Sequence, residues 1–371
     1  MKTLKVKLWT FFKKEVVLSI AIICTLVTIC FIPFDKEYLE YFEMKTLVSL
    51  FCMLAVVAGL KNTNVFELIS KKLIGLFKTR RAVIYALIFG TFFFDMIVAN
   101  DMSLITFLPL TYIVLHSTNN DEYLSTTFIL QTIAANMGGM VTPYGNPQNL
   151  YLYSYYDIPV KEFFGVLLVQ FILIVFMLCI AGFFIKNEPL TLKQEGKIDI
   201  NKKKLSIYIV LFFMVILSIF RVIPHVITLI AVILTVLIAD RKRFKEVDYA
   251  LLFTFCVFFV FSGNIARISI IQNFIEKIVT KNVLLAGIVS CQFISNVPTA
   301  IFISKFTTNY SDLLVAVNIG SLGIIISSLA SLITLKEFLK HQPQNFKKYM
   351  LKFTLVNSIF LFVTMVVTLL K

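Results

Sequence analysis

The sequence predicts an all-α, polytopic membrane protein, and two observations carry that prediction. The 371 residues are 58% hydrophobic and 15% charged, with a mean hydropathy of +0.88, whereas soluble domains are about 45–50% apolar. Most of the apolar runs reach the roughly 17–25 residues that a helix needs to cross a hydrocarbon core about 30 Å thick. The runs are 16–34, 46–60, 82–99, 102–115, 123–156, 162–185, 205–220, 222–239, 247–264, 282–294, 297–304, 310–335 and 349–370.

The distribution of basic residues predicts which loops lie in the cytoplasm. Segments 1–15, 61–81, 186–204, 240–246 and 336–352 contain 5, 6, 6, 4 and 5 Lys or Arg residues, together 26 of the 35 in the chain. Because cytoplasmic loops carry such an excess, we expect a multi-pass protein of the cytoplasmic (inner) membrane with its N-terminus inside. The net charge of +14 is then a consequence of topology, and no nucleic-acid partner is expected.

The two halves of the chain contain matching segments in the same order, on either side of the polar linker 186–204. The first matched pair, 55–77 with 259–279, contains an amphipathic stretch in each segment. The charge distribution places these two stretches on opposite faces of the membrane, so the repeats are predicted to be inverted. Inverted repeats with paired helix breaks are typical of secondary transporters. The matched segments are 55–77 with 259–279, 95–109 with 291–305, and 136–151 with 318–333. They pair Asn100 with Asn296, Asn136 with Asn318, Gly138 with Gly320, Gly145 with Ser327, Asn146 with Ser328 and Asn149 with Ser331.

Two short apolar segments predict re-entrant hairpins. As a helix, 102–115 would extend about 21 Å, and 282–294 is shorter still, so neither crosses the hydrocarbon core. We expect one hairpin to turn at Asn100-Asp101 and the other at Ser295-Asn296, both near the middle of the bilayer. The alternative is a pair of ordinary short spans with polar residues at an interface.

The long runs 123–156 and 310–335 are predicted to be discontinuous helices. Pro143 and Pro147 remove backbone donors, and the neighbouring glycines loosen the backbone. Backbone groups that are freed inside a bilayer need partners from protein, water or an ion. Exposed carbonyls can bind Na⁺, while helix N-termini face an anion.

Asp95 and Asp101 are the two carboxylates well inside the apolar runs. Such a residue costs a few kcal/mol on insertion scales and is by default a hypothesis for a functional site. Either could bind Na⁺ or carry a proton, and either could instead fix a turn through hydrogen bonds to the backbone. The second half has Cys291 and Val297 at the matching positions, so an acidic coupling site would belong to one half only.

Four segments resemble a known superfamily: VANDMSLITFLP, GGMVTPYGNPQN, ISNVPTAIF and NIGSLGIIISSLAS. They are similar to the ion transporters that include the divalent anion:sodium symporters, the citrate–metal transporters and the arsenite exporter ArsB, over nearly the whole chain. The resemblance implies a homodimer of protomers with about eleven spans and two opposed hairpins, in which a transport domain moves past a scaffold like an elevator. The implied parts are repeat 1 (1–185), linker 186–204 and repeat 2 (205–371), with a scaffold of about 1–80 and 205–281 and a transport part of 82–185 and 282–371.

The hairpin tips carry the most specific part of the resemblance. The symporters have Ser-Asn-Thr at each tip, whereas the first tip here reads Ala99-Asn100-Asp101 and the second begins Ser295-Asn296. The family's tip amides are therefore present, which implies a cation and substrate role for both Asn residues. The Asn-Asp pair is closer to ArsB and favours proton coupling.

The breaks, the tips and the resemblance together define the predicted site. The predicted substrate- and cation-binding residues are Asn100, Asp101, Ser103, Thr142, Gly145, Asn146, Ser295, Asn296, Thr299, Ser327 and Ser328. The candidate Na⁺ ligands are Asn100, Asp101, Gly145 and Asn296, and the candidate coupling carboxylates are Asp101 and Asp95.

The sequence favours a secondary active transporter for a small anion, a carboxylate or an oxyanion, with Na⁺ or H⁺ as coupling ion and no other cofactor. The tips and breaks contain no Lys or Arg, so helix N-termini, amides, hydroxyls and a co-bound cation would have to neutralise the anion; Arg267 is the nearest basic candidate and is expected at an interface. The alternatives are a cation/proton antiporter of the NhaD kind and a proton-coupled exporter of the ArsB kind. A membrane-embedded enzyme is disfavoured because the chain has no HExxH, GxSxG or paired-Asp motif.

Overall fold

The computed structural model describes residues 16–98, 100–190 and 199–370. Their regular secondary structure is helical, apart from one isolated β-bridge between Thr79 and Pro189. These residues form seventeen α-helices, eight before the linker and nine after it. The first half contains α1 (Val16–Phe31), α2 (Met44–Lys61), α3 (Val65–Gly75), α4 (Arg80–Val98), α5 (Asn100–Ser117), α6 (Leu124–Gly138), α7 (Pro147–Tyr155) and α8 (Val160–Phe183). The second half contains α9 (Lys202–Ile219), α10 (His225–Asp240), α11 (Tyr249–Arg267), α12 (Ser269–Val279), α13 (Val283–Ile294), α14 (Asn296–Ile303), α15 (Tyr310–Ile319), α16 (Leu329–His341) and α17 (Phe346–Leu369).

Polar residues at the edges of the apolar runs fix where several helices begin. Asn201, Asp248, Asn282 and Asn309 each accept a hydrogen bond from the backbone N–H three positions on, at the starts of α9, α11, α13 and α15. Such caps satisfy one of the N–H groups that a first helical turn leaves unpaired. The helix starts therefore follow from local chemistry.

The helices confirm the predicted all-α membrane fold. Five segments of the described chain are long and apolar enough to cross a bilayer: Lys36–Lys61, Arg80–Val98, Val160–Phe183, Tyr249–Arg267 and Pro343–Leu369. Long apolar side chains on these helices point away from the protein, for example Phe176, which is 61% exposed. Contiguous apolar surface of this kind fits a lipid environment rather than water. The prediction of about eleven spans stays a prediction.

Polar contacts between loops sort them into two groups. The first group joins Arg80 with Glu188, Lys204 with Asp240, Asn64 with Asp199, Lys352 with Thr126, and Gln342 with Asp121. The second joins Lys45 and Arg221 with Asp157, Arg267 with Asp35, and Tyr310 with Glu162. Among the described residues, no ion pair crosses between the loops predicted inside and those predicted outside. The loops therefore lie on two faces, grouped as the charge distribution predicts, while the identity of the cytoplasmic face rests on the charge argument.

The same order of elements occurs in both halves. A long apolar helix (α2, α11) leads into a short amphipathic helix (α3, α12), a helix pair (α4 with α5, α13 with α14), an interrupted helix (α6 with α7, α15 with α16) and a long final helix (α8, α17). The packing also corresponds, because α4 packs on α6 as α13 packs on α15. Five helices, α1, α2, α9, α10 and α11, pack mainly on one another.

Candidate functional site

Two helices are interrupted where the sequence places glycine, proline and serine. α6 ends at Gly138 and is followed by a 3-10 turn, Gly139–Val141, before α7 begins at Pro147. α15 ends at Ile319, and the 3-10 turn Ile325–Ser327 precedes α16. The predicted interruptions are present in both halves, and they are called break 1 (139–146) and break 2 (320–328) below.

Break 1 is compact because three glycines leave no room for side chains. A Cβ atom at Gly145 would collide with the backbone of Gly139, and one at Gly138 would collide with the carbonyl of Phe92. Asn146 then donates its amide back to the carbonyl of Asn136 at 3.0 Å. The loop folds onto the end of α6, which brings the start of α7 next to the end of the preceding helix.

The two breaks meet through reciprocal amide contacts. Asn136 Nδ2, at the end of α6, donates to Ser328 Oγ at the start of α16 at 3.0 Å. Asn318 Nδ2, at the end of α15, donates to Asn149 Oδ1 in α7 at 2.7 Å. The end of α6 thus contacts the start of α16, and the end of α15 contacts α7. All four side chains are at most 1% exposed.

The first helix pair turns against break 1. α4 ends at Val98 and α5 begins at Asn100, while Ala99 of the predicted tip lies outside the described residues. Asn100 Nδ2 donates to Asn136 Oδ1 at 3.2 Å, and Thr142 Oγ1 in break 1 donates to the carbonyl of Met96 at 2.9 Å. The turn at Asn100 and break 1 therefore form one polar cluster.

The second helix pair turns against break 2 in a related way. Ser295 has φ +71°, in the left-handed region that costs a non-glycine residue free energy, and its Oγ donates to the carbonyl of Ser327 at 3.4 Å. Asn296 Oδ1 accepts from the backbone N–H of Val297 at 3.0 Å, and Thr299 Oγ1 donates to the carbonyl of Ser295 at 2.7 Å. The polar groups of this second turn are consequently satisfied mostly by their own helix.

The two carboxylates of the first pair differ in environment. Asp95 is fully buried, and its Oδ1 accepts a hydrogen bond from Ser103 Oγ at 2.8 Å. Asp101 is half-buried and has no hydrogen-bond partner among the described residues. Neither forms an ion pair within the described chain. Asp95 is therefore the buried carboxyl group of this cluster, and Asp101 lies at its edge.

The site contains more unpaired acceptors than donors. Asp95 Oδ2, Asn100 Oδ1, Asn146 Oδ1 and Asn318 Oδ1 are buried without a hydrogen-bond partner, against one unpaired amide donor, Gln148 Nε2. Buried polar atoms are normally paired, so such a group points to a bound ion or water. An excess of unpaired oxygens fits a cation.

Comparison with known proteins decides the family. A sequence model described as "Citrate transporter" (CitMHS) matches residues 8–318. The chain belongs to this citrate transporter family. It is also 33% identical over 304 residues to an uncharacterized transporter of Methanocaldococcus jannaschii, covering 81% of this chain and 82% of that protein. It is 23% identical over 317 residues to the inner membrane protein YbiR of Escherichia coli, covering 82% and 83% of the two chains.

The citrate transporter family lies within the superfamily that the sequence motifs resemble, so that resemblance is confirmed. The chain is a transporter, as its family and its relative from Methanocaldococcus jannaschii are described. The predicted site residues from the two halves come together around the breaks. Arg267 lies apart from them, bound to Asp35 and Tyr41 near the loop between α1 and α2, so the predicted anion-binding residues have no basic partner in the described part of the chain.

Two glutamines were missed by the sequence reasoning: Gln131, which is fully buried, and Gln292, which is partly buried. Gln131 in α6 donates to Thr91 at 3.0 Å and accepts from Thr111 at 3.0 Å, which ties both helices of the first pair to α6. Gln292 in α13 donates to the carbonyls of Gly320 and Leu322 in break 2. A glutamine inside an apolar run was the available signal, because an amide in such a run needs partners as much as the asparagines at the tips do.

Proposed function

We propose that this member of the citrate transporter family is a secondary active transporter of a small anion, a carboxylate or an oxyanion. A Na⁺ or H⁺ gradient drives the movement of this anion across the cytoplasmic membrane. The reciprocal contact of the two breaks carries the proposal. Asn136 with Ser328, and Asn318 with Asn149, place two helix ends and two helix starts in one buried cluster. Such a cluster offers N–H groups to an anion and oxygens to a cation at the same depth.

Recognition of an anion rests on helix dipoles and amides. α7 begins at Pro147 with no side chain capping its first turn, whereas α16 is capped by Ser328, which accepts from the N–H of Ser331. The start of α7 thus carries the positive end of a helix dipole. Pro147 has no N–H, and the N–H groups of Asn149 and Leu150 donate to the carbonyl of Asn146, so the N–H of Gln148 is the first-turn donor left for an anion. The citrate named in the family description is the first candidate substrate, and its negative charge would need a co-bound cation because no basic side chain reaches the site.

The proposed mechanism is an elevator motion of a transport part, 82–185 with 282–371, past a scaffold of about 1–80 with 205–281. Thr132 Oγ1 donates to Thr334 Oγ1 at 2.8 Å and, with Gln131, binds α4, α5, α6 and α16 together, which supports their movement as one body. Among the described residues, the ion pairs between the two parts lie on one face, where Arg221 and Lys45 approach Asp157. In this mechanism the helix pairs are re-entrant hairpins, the repeats are inverted and the protein is a homodimer with its N-terminus inside.

A cation/proton antiporter is the second candidate. The buried carboxylate of Asp95, which has no basic partner in the described chain, favours it, since such a group can carry an ion without any anion being present. In that case Na⁺ alone would bind and no anion would change its affinity. A proton-coupled exporter of oxyanions would instead respond to anion and pH but not to Na⁺.

The test is thermal stability of the full-length, detergent-purified protein with and without Na⁺, crossed with citrate, succinate, malate, sulfate, phosphate and arsenite. A ligand at a hundred times its dissociation constant stabilises the native state by about 2.7 kcal/mol. We expect an anion to stabilise only together with Na⁺ or at low pH, and Asn100→Ala or Asn296→Ala to abolish the shift.

The matched control is Asn357→Ala, which removes a buried amide that bonds to the carbonyl of Phe353 in its own helix, α17. It should keep the response of the wild type. If no anion in the panel shifts the stability under any ion condition, anion transport is wrong and the antiporter reading replaces it.

A further inference from the structure

Lys305 lies in a part of the chain that is otherwise free of Lys and Arg. Residues 82–160 contain neither, and Lys305 is the single one within 282–335. It lies in the loop after α14, where the neighbouring Thr307 contacts Tyr156 on the face predicted to be outside. Because basic residues concentrate on the cytoplasmic side of a membrane protein, topology alone does not account for a lysine at this place.

The environment of Lys305 differs from that of the other described Lys and Arg residues on this face. Its side chain is half-buried, and its ammonium group forms no ion pair or hydrogen bond within the described chain. Buried charges in proteins are normally paired, because an isolated ion is destabilised away from water. The other basic residues are either exposed or paired with a carboxylate: Lys36, Lys161, Lys277 and Lys281 are exposed, and Lys45, Arg221 and Arg267 form ion pairs. Lys305 is thus the half-buried cation of this face that lacks an anion among the described residues.

Tyr155 and two neighbouring tyrosines hold Lys305 in place. Its Nζ lies 4.7 Å from the centre of the Tyr155 ring, a distance at which a cation is attracted to the ring face. Tyr151 Oη and Ser304 Oγ are 2.8 Å apart, and Tyr156 Oη donates to the carbonyl of Ser304 at 3.2 Å. The backbone beside Lys305 is therefore anchored to α7. Because a ring face offers no oxygen acceptor, the N–H donors of the ammonium group stay available for a ligand.

Lys305 lies at the outer end of two helices that begin at the proposed anion site. α7 runs from Pro147 to Tyr155, and α14 runs from Asn296 to Ile303, two residues before Lys305. The nine residues of α7 span about 13 Å, which is the approximate separation between the helix starts and the region of Lys305. α7 also packs on α2, and α14 packs on α11. Lys305 is therefore at the outer edge of the boundary between the proposed transport part and the scaffold.

Glu43, directly before α2, is the carboxylate that acts on Lys305 across this boundary. Burial lowers the pKa of the Lys305 ammonium group, while the negative charge of Glu43 raises it. The two side chains form no ion pair within the described chain. Glu43 therefore attracts the ammonium group without contacting it, and an anion bound to Lys305 would be repelled by Glu43.

We propose that Lys305 is an outer binding site for a small anion, a carboxylate or an oxyanion, which occupies it before reaching the starts of α7 and α14. An ammonium group binds either class of anion as a compact charge with three donors. Partial burial strengthens the attraction, because less water screens the charge. Glu43 competes with the anion for the same cation, which keeps the binding weak enough for the anion to leave. This inference rests on the proposed transport of an anion.

The first experiment measures the acetylation of individual lysines by mass spectrometry, on the full-length protein in detergent treated with an N-hydroxysuccinimide ester. Citrate, succinate, sulfate and phosphate are each compared with chloride at constant ionic strength. We expect at least one of them to slow the labelling of Lys305 by about tenfold at ten times its dissociation constant. Lys161, an exposed lysine on the same face, should be labelled at an unchanged rate. The protection should persist in Asn100→Ala, which perturbs the inner site.

The second experiment measures kcat/KM for the protecting anion, supplied from the outer face of proteoliposomes. Lys305→Gln should lower kcat/KM about tenfold and leave kcat within about twofold, because loss of a steering charge slows capture of the anion. Lys305→Arg should keep at least about one third of the wild-type value, and Lys161→Gln should match the wild type. Glu43→Gln should raise kcat/KM about two- to threefold, because it removes the competing carboxylate. If the two residues merely tied the parts together as an ion pair, Glu43→Gln and Lys305→Gln would act in the same direction.

The proposal is overturned if no anion of the panel protects Lys305, if Asn100→Ala abolishes the protection, or if Glu43→Gln and Lys305→Gln shift kcat/KM in the same direction. If an anion is transported while Lys305→Gln leaves kcat/KM within about twofold, anion transport stands and the outer site is wrong. If an anion protects Lys305 but is not transported, the outer site stands and anion transport is wrong.

Discussion

Gln292 clamps break 2, and its removal gives the sharpest prediction for stability. The amide nitrogen donates to the carbonyls of Gly320 at 2.8 Å and Leu322 at 3.0 Å, and the amide oxygen accepts from the N–H of Ile324 at 3.1 Å. Between these groups Gly323 has φ +108°, which a side chain would strain. One glutamine thus satisfies three backbone groups that the interruption of α15 and α16 releases.

Gln292→Leu keeps the size of the side chain but leaves those three backbone groups without their partner. Measured side-chain hydrogen bonds in a membrane protein average about 0.6 kcal/mol, so three contribute about 2 kcal/mol. Gln292 is only partly buried and its contact with the N–H of Ile324 is exposed, so relaxation of the loop can recover part of the loss. We expect the free energy of unfolding to fall by about 1–2 kcal/mol. Gln292→Glu should be at least as damaging, because it directs a carboxylate oxygen at two carbonyls.

The assay is equilibrium unfolding of the purified protein in mixed micelles, with ligand binding measured on the same samples. The control is Gln170→Leu, a buried glutamine whose amide makes a single hydrogen bond, to Thr368, and whose oxygen is already unpaired. It should lose about 0.6 kcal/mol. If Gln292→Leu lies within 0.5 kcal/mol of the wild type, or no further from it than the control, the clamp does not contribute as reasoned here.

Three further predictions follow from single contacts. Arg221→Ala removes donors to the carbonyls of Tyr153 and Asp157 at the end of α7. Amide hydrogen exchange after α7 should become about two- to fivefold faster, since a half-exposed ion pair contributes under about 1 kcal/mol. Unchanged exchange would show that Arg221 does not stabilise the end of α7. A double-mutant cycle of Thr132→Val with Thr334→Val should give a coupling near 0.6 kcal/mol, and zero coupling would separate the two helices energetically. The hydrogen bond from Arg267 holds the pKa of Asp35 below its usual range. The stability lost in an Arg267→Ala variant should therefore be constant above pH about 5 and shrink as the pH falls through that lowered pKa. A loss that is as large at the lowest pH tested as at pH about 5 would refute the assignment.

The division of polar contacts bears on how the protein would move. The part built from both helix pairs and both interrupted helices is joined internally by buried amides and hydroxyls, such as Gln131 and Thr132. Its ion pairs to the remaining helices involve the exposed Asp157, on one face. Surface ion pairs are weak and buried hydrogen-bond networks are stronger, a difference that the proposed elevator motion would require.

The sequence by itself determined the helices, their interruptions and the doubled order of elements. The apolar runs predict the helices because hydropathy is averaged over the length of one span. Prolines and glycines alter the backbone within a few residues, so the breaks after Gly138 and after Ile319 could be predicted from the sequence. The tip amides Asn100 and Asn296 were recognisable because each interrupts an apolar run, and each begins the second helix of its pair. The motifs also sufficed to predict the family.

Only the tertiary structure decided which polar atoms are left over. Asn136 finds its partner Ser328 at a separation of 192 residues, and a pairing of that kind depends on how whole helices pack. The sequence named both Asp95 and Asp101 as candidate coupling carboxylates and placed only Asp101 among the candidate Na⁺ ligands. Packing instead buries Asp95 beside the unpaired oxygen of Asn146 and leaves Asp101 at the edge. Burial and the count of donors around an atom are properties of three-dimensional neighbours, which is why the distinction between the two carboxylates appears only in the folded chain.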